Sequence, residues 1–262
     1  LMPEGDTIHR AAARLGQALV GGTITRLDAP RLVGLRPHLG ESVLAVEAIG
    51  KHLVIGASGG MSLRTHLGMN GSWHLYRPGE TWSVAEHLAR LVLEVDRGWV
   101  AVCFRAPRVD AFPTAALDDP LTSPLGHLGP DLTTPDPDID RAVARWTSMA
   151  AAVTVAEALL DQRLAAGIGN VYKSEVLWQH RRNPFAAADD VPVGEVRALY
   201  TTAHRLLRAN LTTDRRITHG RGHAVYGRRG RPCPRCQVPV AARHHGDDAR
   251  VTFWCPDCQP AG

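Results

Sequence analysis

Three groups of residues in this chain have types and spacings suited to chemistry. Near the start stand Pro3 and Glu4. If Met2 is removed, Pro3 opens the chain with a secondary amine of pKa near 7.7–8.0, about the α-amino reference, so much of it is neutral near pH 7. Such an amine attacks a sugar carbon and forms a cationic iminium that cannot shed its charge through an N–H. That cation acidifies neighbouring C–H bonds and favours elimination, while Glu4 beside it can move protons. Leu1 precedes Met2, so this chemistry is open only to a chain from which both have been removed.

Near the other end Cys233, Cys236, Cys255 and Cys258 form a C-x2-C-x18-C-x2-C pattern. Four thiolates at this spacing close a tetrahedral site around one structural Zn²⁺, with no ligand position left for catalysis. Strand-like Val238–Ala242 and Arg250–Trp254 suggest a β-hairpin with the metal at its base. A segment of this size lacks a core of its own, and metal binding supplies its folding free energy. Cys103, alone in the apolar run Val100–Phe104, reads as an inert core thiol.

The third group is Gly167-Ile168-Gly169-Asn170. It reads as a tight turn that opens a helix, with backbone N–H groups and the Asn170 amide placed for a phosphate. Charge supports a polyanionic partner. Residues 201–262 hold 11 Arg against 4 Asp/Glu, a balance of +7, which leaves −3 for the rest of a chain of net charge +4.

The positioning elements follow from periodicity. Thr7–Leu19 reads as an amphipathic helix facing inward through Ile8, Ala11, Ala12, Leu15 and Leu19, with Asp6 as its N-cap. Seven short strands follow, Thr23–Leu27, Val43–Ile49, His52–Ile55, Met61–His66, Ser72–Tyr76, Arg90–Val95 and Trp99–Phe104, which suggests a sandwich or barrel. Pro113–Asp138 has the composition of a linker. Beyond it the helices expected are Ile139–Trp146, Val153–Leu160, Asn170–His180 and Gly194–Asn210. No run approaches the roughly 20 apolar residues of a membrane span, and no signal-peptide pattern opens the chain. The expectation is a cytoplasmic protein acting on nucleoid DNA, with no membrane partner, and a monomer.

Together the motifs Pro3-Glu4-Gly5, Gly50-Lys51-His52-Leu53, His66-Leu67-Gly68-Met69-Asn70-Gly71, Leu125-Gly126-His127-Leu128-Gly129-Pro130, Gly167-Ile168-Gly169-Asn170 and Tyr226-Gly227-Arg228, in that order before the four cysteines, resemble the bifunctional DNA glycosylases that comprise formamidopyrimidine-DNA glycosylase and endonuclease VIII. The resemblance covers essentially the whole chain. It implies an α+β fold of three parts. These are an N-terminal catalytic β-sandwich with a flanking helix (residues 1–115), a helix–two-turns–helix DNA-binding domain (116–221) and a C-terminal four-cysteine zinc-finger hairpin (222–262), with DNA in a basic cleft. It also implies base-excision repair of damaged double-stranded DNA, single-stranded or bubble DNA being left open.

By the same resemblance Pro3 is the Schiff-base nucleophile and Glu4 the proton donor in base removal. Lys51 is the general acid/base of β-elimination, and Arg250 grips the phosphates during δ-elimination. Met69, Arg108, Asn170, Tyr226 and Arg228 are DNA contacts, Met69 and Arg108 filling the gap left by the extruded nucleotide, and His87 is a further candidate contact outside the resemblance. Where the oxidised-purine branch has an aromatic residue this chain has Asp110, an acid not expected in a wedge. The start "PEGDT" and a short Asn210–Tyr226 connector favour the endonuclease VIII branch and oxidised pyrimidines. A formamidopyrimidine/8-oxoguanine glycosylase, and a catalytically silent zinc-dependent DNA-binding relative, are the alternatives.

Overall fold

The computed structural model describes residues 3–32, 34–117, 119, 121–149, 153–246 and 250–261. Leu1 and Met2, on which the exposure of the Pro3 amine turns, lie outside the described residues. The chain forms two compact units, Leu1–His127 and Leu128–Gly262.

The first unit opens with α1 (Gly5–Leu19), whose buried face includes Ile8, Ala12, Leu15, Ala18 and Leu19. The expected Asp6 cap is corrected: Glu4 is the N-cap, and Asp6 is buried within the first turn, ion-paired to Arg10 at 3.0 Å. The helix therefore begins earlier than its apolar periodicity suggests.

Eight strands follow: β1 (Ile24–Asp28), β2 (Val43–Ile49), β3 (His52–Ala57), β4 (Met61–His66), β5 (Ser72–Tyr76), β6 (Ala89–Val95), β7 (Trp99–Phe104) and β8 (Arg108–Pro113). They make two antiparallel four-stranded sheets, ordered β1-β6-β7-β5 and β2-β3-β4-β8. Leu53, Ile55 and Leu63 of one sheet and Leu91, Leu93 and Cys103 of the other share a core with α1. β8 is the strand that periodicity missed. Its Arg108 and Asp110 break the apolar run, and it pairs along β4 from Met61↔Pro113 to His66↔Arg108. Cys103 is fully buried, and burial pushes its thiol far up, as an inert core residue requires.

The second unit carries α2 (Ile139–Thr147), α3 (Val155–Leu160), α4 (Asn170–Gln179) and α5 (Val193–Ala209), then β9 (Ala241–His245) paired antiparallel with β10 (Arg250–Trp254). The first hairpin strand lies three residues further on than the sequence suggests. α3 starts with a capping box in which Thr154 and Glu157 satisfy each other's backbone. α4 is buried on every side, Asn170 through Trp178. A helix buried all round is a central strut, and the polar residues on it must therefore find partners.

The Pro-rich stretch is packed rather than loose. Pro124 accepts a hydrogen bond from Arg64 Nη1 at 2.7 Å, Leu125 is buried, and Leu132 N–H donates to Ala166 O at 3.1 Å.

Candidate nucleic-acid processing site and metal centre

In the first unit Pro3 and Glu4 are both buried at the head of α1. The Glu4 backbone is extended (φ −128°, ψ 179°) and its carbonyl accepts from Thr7 and Ile8 N–H at 2.9 and 3.1 Å. A carboxylate at a helix N-terminus is stabilised by the aligned peptide dipoles. Pro3 lines a cavity of about 240 Å³ with Arg10, Arg14, Leu67, Gly71 and Trp73. Pro3, just ahead of α1, and two arginines on the helix thus share one space.

Gly71 links that cavity to the next one. It also lines a space of about 470 Å³ with Met69, Asn70, Ser72 and Arg105. The Met69 loop closes on itself through Gly71 N–H to Leu67 O at 2.8 Å. A Cβ on Gly71 would meet that oxygen at 2.4 Å, so only glycine fits. Met69 stands at the tip, 64% exposed, where an apolar side chain has no core to join. Arg105, in left-handed backbone at φ 55°, is a member of this group that sequence reasoning missed.

Lys51 occupies the second place of the two-residue turn between β2 and β3, where Ile49 pairs with His52. Gly50 has φ +58°, the sign a II′ hairpin turn demands at its first central residue. Beside it, His52 is buried with its ring 4.8 Å from that of His66. Burial first, then the charges of His66, Arg64, His127 and Arg108, push its pKa down to about 3. Arg108 is exposed, opposite His66 in register. Its segment touches the Met69 loop, since a Cβ on Gly68 would meet Pro107 Cγ at 2.9 Å. His87 is exposed in the turn before β6, its carbonyl accepting from Arg90 Nη1 at 3.0 Å.

Asp110 has a structural explanation. Both its oxygens accept from Arg64, at 2.8 and 2.6 Å, and Arg64 is only 3% exposed. The acid is the partner of a buried guanidinium.

In the second unit α4 organises the rest. Gln162 braces the Gly167–Asn170 turn, accepting from Gly167 N–H at 3.0 Å and donating to Ile168 O at 3.1 Å. Asn170 is 4% exposed and its Nδ2 donates to Val251 O at 2.8 Å, so the amide expected to hold a phosphate is engaged with β10. Lys173, one turn later, bonds Asn170 Oδ1 and Thr252 Oγ1. Glu175 is fully buried and gathers the connector: Thr218 Oγ1 (2.6 Å) and the N–H groups of Ala224, Val225 and Tyr226 (2.8, 2.9 and 2.9 Å) all donate to it. Sequence reasoning missed both Lys173 and Glu175. The signal was their place inside Val171–Trp178, where an apolar run should have no charge.

Tyr226 is half-buried, its ring 5.1 Å from Phe253 and 5.8 Å from His223. Arg228 Nη2 donates to Pro232 O at 2.9 Å, turning the chain into the cysteine hairpin. Arg250 starts β10 opposite His245 and lines a cavity of about 430 Å³ with Lys173, Thr252, Glu157, Asp161 and Arg163.

The four sulfurs of Cys233, Cys236, Cys255 and Cys258 lie within 4.8 Å of one another. Cys233–Cys258 is 3.9 Å and Cys236–Cys255 3.4 Å. Metal–sulfur bonds of about 2.3 Å in a tetrahedron place sulfurs about 3.8 Å apart, so the set fits one tetrahedral ion. Trp178 Nε1 donates to Cys233 Sγ at 3.3 Å. Burial opposes ionisation of Cys233, but the N–H groups of Arg235, Cys236 and Trp178 outweigh it and hold the thiol at about 6. Burial raises the other three, as expected of crowded sulfurs before a cation joins them.

Residues 2–109 match the family described as formamidopyrimidine-DNA glycosylase N-terminal domain, and residues 128–221 its H2TH domain. A Streptomyces coelicolor protein named "Probable endonuclease 8 2" is 42% identical over 98% of this chain and 94% of its own. The chain belongs to the formamidopyrimidine-DNA glycosylase and endonuclease VIII family. A Mycolicibacterium smegmatis member named DNA-(apurinic or apyrimidinic site) lyase Nei2 is 37% identical over 99% and 100% of the two chains. The crystal structure of the Thermus thermophilus MutM (Fpg) protein superposes with a TM-score of 0.79 at 29% identity, covering 99% and 100%. Within the family, identity is thus higher to these two relatives than to the Fpg protein. The α+β fold is the family's, with a β-sandwich, a helical H2TH domain and a hairpin bearing four cysteines.

Proposed function

We propose that this protein is a bifunctional DNA glycosylase and abasic-site lyase of base-excision repair. The observation that carries the reading is the placement of Pro3 and Glu4 together, buried at the head of α1 against a cavity shared with the base of the Met69 loop. The amine of Pro3, once it is the first residue, attacks C1′ of the damaged nucleotide as Glu4 gives a proton and the base departs. The C1′–O4′ bond then opens, O4′ taking a proton, and the resulting iminium lets a C2′ proton leave, with Lys51 as the acid/base group, and the C3′–O3′ bond breaks. A C4′ proton then leaves and the C5′–O5′ bond breaks while Arg250 holds the phosphate. Water hydrolyses the imine and restores the amine. A one-nucleotide gap flanked by phosphates remains.

The four cysteines take one Zn²⁺, which supplies no chemistry and holds the hairpin that carries Arg250. Damaged DNA is the partner, with Met69, His87, Arg108, Tyr226 and Arg228 against it. Asn170 acts through its hold on β10. Oxidised pyrimidines are the favoured lesions. The connector supports this, because Asn210 pins it at both Ile217 N–H and O (2.7 and 2.9 Å) and Glu175 pins its end, which leaves little chain to close over an oxidised guanine. The functional division proposed is 1–115, 116–221 and 222–262, within a chain that packs as two units meeting in sequence at His127 and Leu128.

The test is a panel of oligonucleotides bearing oxidised pyrimidines, oxidised purines or an abasic site, treated with protein processed to begin at Pro3. Strand cleavage at pyrimidine lesions and abasic sites is expected. Binding without cleavage of any member would favour the second reading, a silent DNA-binding relative.

A further inference from the structure

The first turn of α4 is stitched to strand β10 by side chains. Asn170 Nδ2 donates to Val251 O at 2.8 Å, and Lys173 Nζ donates to Asn170 Oδ1 at 2.5 Å and to Thr252 Oγ1 at 2.8 Å. Lys173 and Thr252 are each 1% exposed. Burying an ammonium group is costly unless its donors are used, and an apolar residue would fill the same helix position more cheaply. The lysine therefore calls for an explanation beyond packing.

Register supplies it. Side chains two apart on a strand share a face, and a slip of one residue sends them to the other face. Arg250 and Thr252 are two apart, and both line the cavity that Lys173 also lines. The group that holds Thr252 sets the face Arg250 presents. Lys173 also orients the Asn170 amide: with Oδ1 taken by Nζ, Nδ2 is left for Val251, the residue next to Arg250.

We infer that Lys173 is a positioning residue for the second elimination, acting through Thr252 and Asn170 to aim Arg250. This rests on the proposed function, in which Arg250 holds the phosphate while the C5′–O5′ bond breaks.

The test uses zinc-loaded protein beginning at Pro3, abasic-site DNA and the variants Lys173→Met, Thr252→Val, Arg250→Ala and Lys173→Met with Arg250→Ala. The readout is the ratio of β- to β,δ-elimination products in one reaction, a quantity that general loss of folded protein does not move. A small misplacement of a positioned group costs up to about a hundredfold, so Lys173→Met is expected to shift the ratio toward the β-product by about tenfold or more. Thr252→Val shifts it the same way, and Lys173→Met adds nothing once Arg250 is alanine. A parental ratio in Lys173→Met, or a further shift in the double variant, overturns the inference. If Lys173→Met fails to hold zinc, Thr252→Val decides by the same ratio. Borohydride trapping of the parent separates the two readings. A trapped parent with an unmoved ratio sinks this inference alone, and an untrapped parent removes the proposed function and this inference with it.

Discussion

Asp110 grips Arg64 with both carboxylate oxygens, at 2.8 and 2.6 Å, and Arg64 spends its remaining reach on Pro124 O at 2.7 Å. One buried guanidinium thus fastens β4 to β8 and both to the Pro-rich segment. Asp110→Ala leaves that charge without its counter-ion. Because the Asp110 side chain is 36% exposed, water recovers part of the loss, and a destabilisation of about 2 kcal/mol is expected in urea unfolding. A change under about 0.5 kcal/mol would show that the Asp110–Arg64 pair adds little to the stability of the sheet.

His52 gives the first unit a pH dependence. Its folded pKa, about 3, lies below the ordinary value of 6.5, so the unfolded chain takes up the proton first as pH falls. The stabilisation is complete above about 6.5 and is lost as pH drops toward 3, at up to about 1.4 kcal/mol per pH unit. His52→Gln removes this slope, and melting temperatures of parent and variant between pH 7 and pH 4 measure it. Parallel curves would show that His52 is not held neutral.

Glu175 is the fastening of the connector. Glu175→Ala strips the acceptor from three backbone N–H groups and from Thr218 Oγ1, a loss of about 3 kcal/mol. Amide exchange of Ala224, Val225 and Tyr226 should accelerate well beyond that of α5. Exchange that speeds up equally everywhere would mean the carboxylate supports the whole unit rather than this segment.

Metal removal should act on the hairpin. A four-thiolate zinc site contributes about 10–16 kcal/mol to the fold around it, and Trp178 ties Cys233 to α4. Chelation is expected to release one zinc per chain, erase protection in β9 and β10, and leave the two sheets of the first unit protected. Retained β9–β10 protection after zinc release would contradict the structural role assigned to the metal.

What the sequence made legible was whatever is periodic or spaced. α1, seven strands, four helices and the cysteine quartet follow from local pattern, because burial imposes a period and a tetrahedral ion imposes a spacing. What it hid are pairings between distant positions. Nothing near Asp110 announces Arg64, 46 residues away, and nothing near Lys173 announces Thr252, 79 residues away. β8 escaped for the same reason, since its charged residues are explained by β4 and not by their neighbours in the chain. Among the site residues, Pro3 and Met69 each line a cavity, with Glu4 beside Pro3. Asn170 is engaged inside the fold, held by a lysine whose far partner no local pattern reveals.

The most direct test of the account is the location of the covalent bond. Protein processed to begin at Pro3 is incubated with abasic-site DNA and borohydride, digested, and its peptides sequenced by mass spectrometry. The account predicts a reduced deoxyribose remnant on the Pro3 nitrogen. A remnant on Lys51 or Lys173 instead, or none on any peptide, would contradict it.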